Sequence, residues 1–104
     1  MPKKGTKVVN KRAAAYDTYI GRGSVFANPY KIGEDGNRRD VIEQYREYFY
    51  DRIGVDTTFR RQVLALKGQV LGCFCAPQAC HGDVIVEFLE GGPPNEDKEQ
   101  LSLF

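Results

Sequence analysis

Residues 69–75 read QVLGCFC and form the strongest strand pattern in the sequence. A strand that is covered on both faces is apolar along nearly its whole length, as strands of parallel sheets are. Residues 76–79 are predicted to form a loop, and residues 84–89 then place apolar side chains at helical spacing. We therefore predict a strand, a loop and a helix in this order, with Cys80 or His81 at the start of the helix.

Two further helices are predicted before this strand. The first begins near Arg39, because its apolar residues recur at every third or fourth position, and Gly54 is expected to close it. The second is capped by Asp56 or Thr57 and ends at Gly68. The apolar residues of the two helices are Val41, Ile42, Tyr45, Phe49, Ile53, Phe59, Val63, Leu64 and Leu66.

Two short strands are predicted near the amino end. Residues 7–10 (KVVN) form one, and residues 16–20 (YDTYI) alternate apolar and polar side chains as a half-buried strand does. Residues 21–24 (GRGS) break this pattern, and an Asn-Pro pair at residues 28–29 marks a turn or an extended loop. The sequence thus predicts a small single α/β domain with a short sheet, about three helices and a Cys/His loop between the last strand and the last helix.

The composition limits the classes of protein that fit. The chain has 104 residues, of which 41% are hydrophobic and 28% charged, so it is long enough for one core and is not wholly disordered. Its net charge of +1 excludes a strongly basic nucleic-acid coat and an acidic mimic of DNA. We see no apolar run of the ~20 residues that a membrane span needs and no signal peptide pattern. The three clustered cysteines do not resemble a secreted disulfide framework, so we expect a cytoplasmic protein without a membrane partner.

The charge and the turn-forming residues suggest how the chain is divided. We expect residues 1–92 to form the α/β domain and residues 93–104 to form a flexible tail, because GGPP at residues 91–94 stops regular structure. The amino end is a basic arm that either contacts phosphates or is simply solvated. Its cations are Lys3, Lys4, Lys7, Lys11 and Arg12.

Residues 73–83 (CFCAPQACHGD) join the carboxyl end of a strand to the amino end of a helix. This is where open α/β sheets usually bind ligands. Alternate residues of a strand point the same way, so Cys73 and Cys75 are expected to share one face. At the start of a helix the free N–H groups would favour a Cys80 thiolate, and they are equally suited to bind a phosphate.

Three interpretations of this segment remain open. In the first, a zinc cofactor would be held by Cys73, Cys75, Cys80 and His81, whose softness and number suit this metal, although the C-x-C-x4-C-H spacing is not that of a standard site. A catalytic thiol would be Cys75 or Cys80, with His81 as its base and Asp83 as the group that orients the base. The third interpretation is a buried cysteine beside polar residues that cap a helix.

The motifs also resemble a known family, the domain of unknown function family 4326, a group of small bacterial and phage proteins. The resemblance lies in Asn10, residues 19–24, residues 28–29, residues 39–47, residues 71–77 and residues 80–83. By residue type, the polar residues of the pattern would form a site, because arginines and asparagines from loops are suited to a nucleotide or another phosphate. Carried over to this sequence, these residues are Asn10, Arg22, Asn28, Arg39, Cys75, Cys80, His81 and Asp83.

The last five residues of the sequence read QLSLF. They resemble the consensus pentapeptide Gln-Leu-Ser/Asp-Leu-Phe, by which bacterial replication and repair proteins bind the β sliding clamp. The resemblance implies a clamp partner, with apolar anchors and an amide that fixes the register. The residues concerned are Gln100, Leu101, Ser102, Leu103 and Phe104. The alternative is that the apolar side chains fold back onto the domain's own core.

Two classes of function follow from the sequence. In the first, a small α/β protein of a bacterium or a phage is recruited to the sliding clamp and has a nucleotide-binding, phosphate-binding or catalytic Cys–His site that acts in DNA metabolism. In the second, the protein is a non-enzymatic adaptor or inhibitor that occupies the clamp's peptide site, and its Cys/His loop is structural. The sequence leaves open whether the chain is an enzyme.

Overall fold

Strand β3 (Val70–Cys73) lies in the centre of a three-stranded sheet, between β1 (Lys7–Asn10) and β2 (Thr18–Tyr19), and pairs with both in parallel. The structure, a computed structural model, describes residues 5–76 and 78–91. The central position of β3 explains why this strand is so apolar, since both of its edges are paired and both of its faces are covered.

The chain passes from β1 to β2 across one face of β3. The Tyr16 ring covers Gly72 there, and a Cβ atom on Gly72 would lie 2.6 Å from Cγ of the ring. The ends of this crossover are held by two backbone hydrogen bonds, from Lys11 N–H to the Cys73 carbonyl (2.8 Å) and from Asp17 N–H to the Val70 carbonyl (2.7 Å). The predicted strand over residues 16–20 is therefore shorter than expected, because its first residues belong to the crossover.

The helices are α1 (Arg38–Val55), α2 (Thr57–Leu64) and α3 (Gly82–Leu89). Asn37 begins α1 with a capping box, and Asp56 caps α2 as the sequence predicts. The prediction that Gly54 closes α1 is wrong, because this glycine lies within the last turn of the helix. Helix α2 ends at Leu64, before the turn that leads to Gly68.

The core lies between the three helices and the face of β3 opposite the crossover. Tyr45, Phe49 and Phe59 are its largest fully buried side chains, and they pack with Leu71 and Cys73 of β3.

The α/β class, the single domain, the short sheet and the three helices are thereby confirmed. None of the helices in the described part of the chain is long and apolar enough to cross a membrane. The predicted tail and residues 1–4 of the basic arm lie outside the described residues, so the domain boundary at residue 92 stays a prediction.

Two glycines that differ in their surroundings test this packing. A Cβ atom on Gly82 would lie 2.6 Å from Cδ1 of the buried Ile20 and 3.0 Å from Val8, so Gly82→Ala should lower the free energy of unfolding by about 1–3 kcal/mol. Nothing lies within 4 Å of a Cβ atom placed on Gly54, which is helical, so Gly54→Ala should raise the free energy of unfolding by about 0.5–1 kcal/mol. Urea unfolding measures both changes. Equal midpoints for wild type and Gly82→Ala would contradict the close contact of α3 with the sheet.

Candidate functional site

A cleft of about 970 Å³ opens at the carboxyl end of the sheet. Tyr19 and Phe74, at the ends of β2 and β3, form one side of it. The other walls come from residues 27–34, from the first turns of α1 and from the residues that precede α3. The cleft therefore lies where open parallel sheets bind their ligands, and the chain elements that form it come from both ends of the domain.

The structure brings together part of the predicted site. Of the predicted polar residues, those that line the cleft are Arg22, Asn28, Cys75, Cys80 and His81, and Cys73 lines it as well. Asn10, Arg39 and Asp83 are not among the lining residues.

Several lining residues that bear on the chemistry of the cleft were not predicted from the sequence, namely Tyr19, Tyr30, Lys31, Glu34, Arg38 and Phe74. Helical spacing contains a signal for one of them, because Arg38 precedes the lining residues Val41 and Ile42 by three and four positions and so shares their face.

The two predicted asparagines hold the walls of the cleft. Asn10 Nδ2 donates to the carbonyls of Phe74 (3.2 Å) and Ala76 (3.0 Å), which fixes the loop that follows β3. Asn28 Nδ2 donates to the Val41 carbonyl (3.1 Å), and its Oδ1 accepts a hydrogen bond from the Tyr30 backbone (2.9 Å). Both amides therefore already have partners within the chain and position the residues around the cleft.

Cys80 is buried at the boundary between the loop and α3. Its Sγ lies 3.3 Å from Cys73 Sγ and accepts a hydrogen bond from the Gly82 backbone at 3.2 Å. Burial raises the pKa of the Cys80 thiol, and the Gly82 N–H, which favours the thiolate, opposes this only in part. Burial thus opposes the thiolate that the helix N–H groups were expected to favour at Cys80. Cys75, in contrast, is half-buried and lines the cleft.

His81 is fixed by a backbone carbonyl. Its Nε2 lies 2.8 Å from the Ile20 oxygen, which can only accept, so Nε2 holds the hydrogen and Nδ1 is the free acceptor of the neutral ring. Nδ1 lies 3.7 Å from Cys80 Sγ. Burial lowers the pKa of His81, although the Ile20 carbonyl and the Asp83 charge oppose the shift. Asp83 itself accepts a hydrogen bond from the Cys80 backbone (3.0 Å), so in this structure the ring is oriented by Ile20.

The residues predicted to bind zinc do not fit a metal centre. Within residues 5–76 and 78–91, no group of three or more Cys, His, Asp or Glu side chains is placed to hold a metal ion. His81 directs Nε2 to a carbonyl, and the Cys73 and Cys80 sulfurs contact each other in the core. The cysteines thus serve packing, apart from Cys75 at the surface of the cleft.

The mouth of the cleft is positively charged. Arg22 is exposed, and neither Arg22 nor Lys31 has a carboxylate partner in the described part of the chain. Arg38 donates from Nη1 to the Ala79 carbonyl (3.1 Å), which leaves its charge uncompensated. Glu34 is the acidic residue among the lining residues. The cleft is therefore suited to an anion.

The burial of His81 predicts how stability depends on pH. Its pKa in the folded state lies below the usual 6.5, so the unfolded chain binds a proton first as the pH falls. The free energy of unfolding should be constant well above pH 6.5 and should decrease as the pH falls below about 6.5, because the unfolded chain then binds the proton more readily than the folded chain. The chain has one histidine, so His81→Gln should flatten this dependence. A slope that persists in His81→Gln, or a His81 NMR titration above 6.5, would contradict the assignment.

The comparisons with known proteins agree with the resemblance seen in the motifs. A family model described as a domain of unknown function, DUF4326, matches residues 4–91. The chain is also 36% identical over 84 residues to the uncharacterized 12.4 kDa protein in the nrdA-td intergenic region of Enterobacteria phage T4, a match that covers 80% of this chain and 76% of that protein. No solved structure matches the chain. The matched region includes every element of the fold and all the residues of the cleft, and the chain therefore belongs to the DUF4326 family.

Proposed function

We propose that this protein binds a phosphorylated nucleoside in the cleft and is recruited to the bacterial β sliding clamp through residues 100–104. The observation that carries the first part is the position of Arg22 and Lys31, two cations without acidic partners in the described residues, at the mouth of a cleft with aromatic walls. A guanidinium is suited to phosphate oxygens because its donors form a planar fork.

The size and the lining of the cleft support a nucleotide over a bare anion. Its volume of about 970 Å³ lies within the range of sites that bury small organic ligands. Tyr19, Tyr30 and Phe74 contribute aromatic surface that can pack against a base. The cations thus suit the phosphate of a nucleotide, and the rings suit its base.

The chemistry available at the cleft depends on Cys75. All three free cysteines line the cleft, but Cys73 and Cys80 are buried, whereas Cys75 is half-buried. The predicted catalytic set of Cys75, Cys80, His81 and Asp83 therefore has one thiol within reach of a ligand. We accordingly propose binding as the function of the site, with Cys75 as its accessible nucleophile.

Removal of the Arg22 side chain tests the nucleotide site. Arg22→Ala should weaken the binding of nucleoside phosphates by about tenfold or more, because a charge-assisted hydrogen bond contributes about 1.5–3 kcal/mol. The melting temperature should not change, since the side chain is exposed and has no partner in the described residues. Isothermal titration against nucleoside mono-, di- and triphosphates measures the affinities.

The matched control for this experiment is Arg60→Ala, which removes an exposed arginine on α2 that does not line the cleft. Arg60→Ala should bind as wild type does. The nucleotide site is wrong if no nucleoside phosphate binds to the wild-type protein at millimolar concentration, or if both variants lose affinity equally.

The second part of the proposal is based on the sequence, because residues 100–104 lie outside the described residues. All five positions agree with the clamp-binding pentapeptide. Leu101, Leu103 and Phe104 are the apolar anchors, and Gln100 provides an amide that fixes the register. A protein that binds the clamp but no nucleotide would be the adaptor or inhibitor of the alternative function.

Substitution of two anchors tests clamp binding. Leu103→Ala combined with Phe104→Ala should remove most of the affinity, because each anchor contributes on the order of 2 kcal/mol on burial. Ser102→Asp is the control and should be tolerated, since the pentapeptide accepts either residue at this position. Titration of the full chain into purified clamp should give a dissociation constant in the micromolar range. No heat at a few hundred micromolar protein would refute the proposal.

A further inference from the structure

Two cations rest on two aromatic rings beside the cleft. Lys11 Nζ lies 4.7 Å from the centroid of the Tyr19 ring and 5.0 Å from that of Phe74. Arg12 Cζ lies 5.2 Å from the Phe74 centroid. The two rings meet edge to face with their centroids 6.1 Å apart. We call these four residues, Lys11, Arg12, Tyr19 and Phe74, the aromatic–basic patch.

The charges of the patch remain available to a ligand. Neither Lys11 nor Arg12 forms an ion pair with a carboxylate in the described part of the chain, and their side chains contact rings. A ring face attracts a cation without neutralising it. Phe74 is also 49% exposed, although a phenyl ring is favoured inside the core. The patch therefore presents both uncompensated charge and accessible aromatic surface.

The patch is continuous with the cleft. Tyr19 and Phe74 belong to the patch and also line the cleft, in which Arg22 and Lys31 lie. The two rings thus contact one pair of cations and line the same cleft as the other pair. A single nucleotide that fills the cleft would leave Lys11 and Arg12 without a phosphate. A chain of nucleotides has a phosphate for each pair of cations and a further base for the exposed Phe74 ring.

We infer that the cleft and the aromatic–basic patch together bind a segment of single-stranded polynucleotide, with one nucleotide in the cleft and the next one against the exposed part of Phe74. This inference rests on the proposed function and specifies its ligand. An unpaired base can pack against an exposed ring, whereas a base stacked within a duplex cannot. An acidic peptide would use the cations but leave the rings without a matching surface, so the unpaired strand fits the patch better.

Fluorescence anisotropy with the full chain tests the inference. The probes are labelled oligothymidylate and oligouridylate of about 10 nucleotides, which distinguish DNA from RNA, together with a labelled duplex. We expect at least one single strand to bind more tightly than the duplex and more tightly than the mononucleotide. Phe74→Ala should weaken single-strand binding by about tenfold, whereas Phe74→Trp, which keeps an aromatic face, should restore it.

Salt dependence measures the contribution of the cations. Lys11→Ala combined with Arg12→Ala should lower the slope of log affinity against log salt by about 1.4, which corresponds to two phosphate contacts on a single strand. Arg60→Ala combined with Arg61→Ala removes two exposed cations of α2 and should leave the slope unchanged. Circular dichroism of each variant confirms that the fold is retained.

The outcomes separate this inference from the proposed function. If mononucleotide and strand bind equally well and Phe74→Ala has no effect, the inference is wrong and the nucleotide site stands. A different outcome is that the strand binds through Phe74 while Arg22→Ala has no effect and mononucleotide does not compete. In that case the cleft is not the nucleotide site, and the inference is wrong as well. Binding of duplex or of polyglutamate as tight as that of the single strand also overturns the inference.

Discussion

The central strand can have parallel neighbours on both edges because Gly72 leaves room for the chain that connects them. Strands β1 and β2 follow each other closely in the sequence, yet both must run in the direction of β3, so the connection has to return across the sheet. Residues 11–17 do so with the Tyr16 ring lying where a side chain at residue 72 would be. This crossover puts the ends of β1 and β2 at one edge of the sheet. The loops that follow β2 and β3 form the cleft there, and the cations of the crossover, Lys11 and Arg12, contact the rings of Tyr19 and Phe74 beside it.

The three cysteines lie in two different environments, since Cys73 and Cys80 are buried in the core and Cys75 is half-buried in the cleft. Cys73 ends β3, Cys80 precedes α3, and their sulfurs meet at 3.3 Å in the core, which fastens the last strand to the last helix. His81 also connects the start of α3 to the end of β2, because its Nε2 contacts the Ile20 carbonyl. The residues whose types suggest metal binding or catalysis are therefore largely the frame that holds the loop in place. Cys75 and Phe74, which lie between Cys73 and Cys80 in the sequence, are half-buried and exposed respectively and line the cleft.

The pattern of neighbouring residues was enough to predict the helices and strands. Properties that depend on burial by residues distant in the sequence could not be predicted. The apolar run at residues 69–75, the helical spacing from Val41 to Ile53 and the Asp56 cap are properties of neighbouring residues, and each gave the correct element. Tyr16 has the alternation of a strand but packs on Gly72, which is distant in the sequence. The Cys80 thiolate was expected from its place before a helix, yet the surrounding core raises the pKa of the thiol. The cleft includes Arg38 and not Arg39. Helical spacing places Arg38 on the face of Val41 and Ile42, but the sequence does not show that this face is the one directed to the strand ends.

The order of the strands also affects how the chain is made. Strands β1 and β2 do not pair with each other, and both find their partner only in β3, which is synthesised after α1 and α2. A nascent chain on the ribosome therefore holds β1 and β2 unpaired until residues 70–73 have emerged. During that time helices α1 and α2 can form from local contacts, whereas the sheet waits for a distant segment, as in proteins whose folding is slowed by non-local pairing. Translation thus completes the sheet and the cleft in one late step.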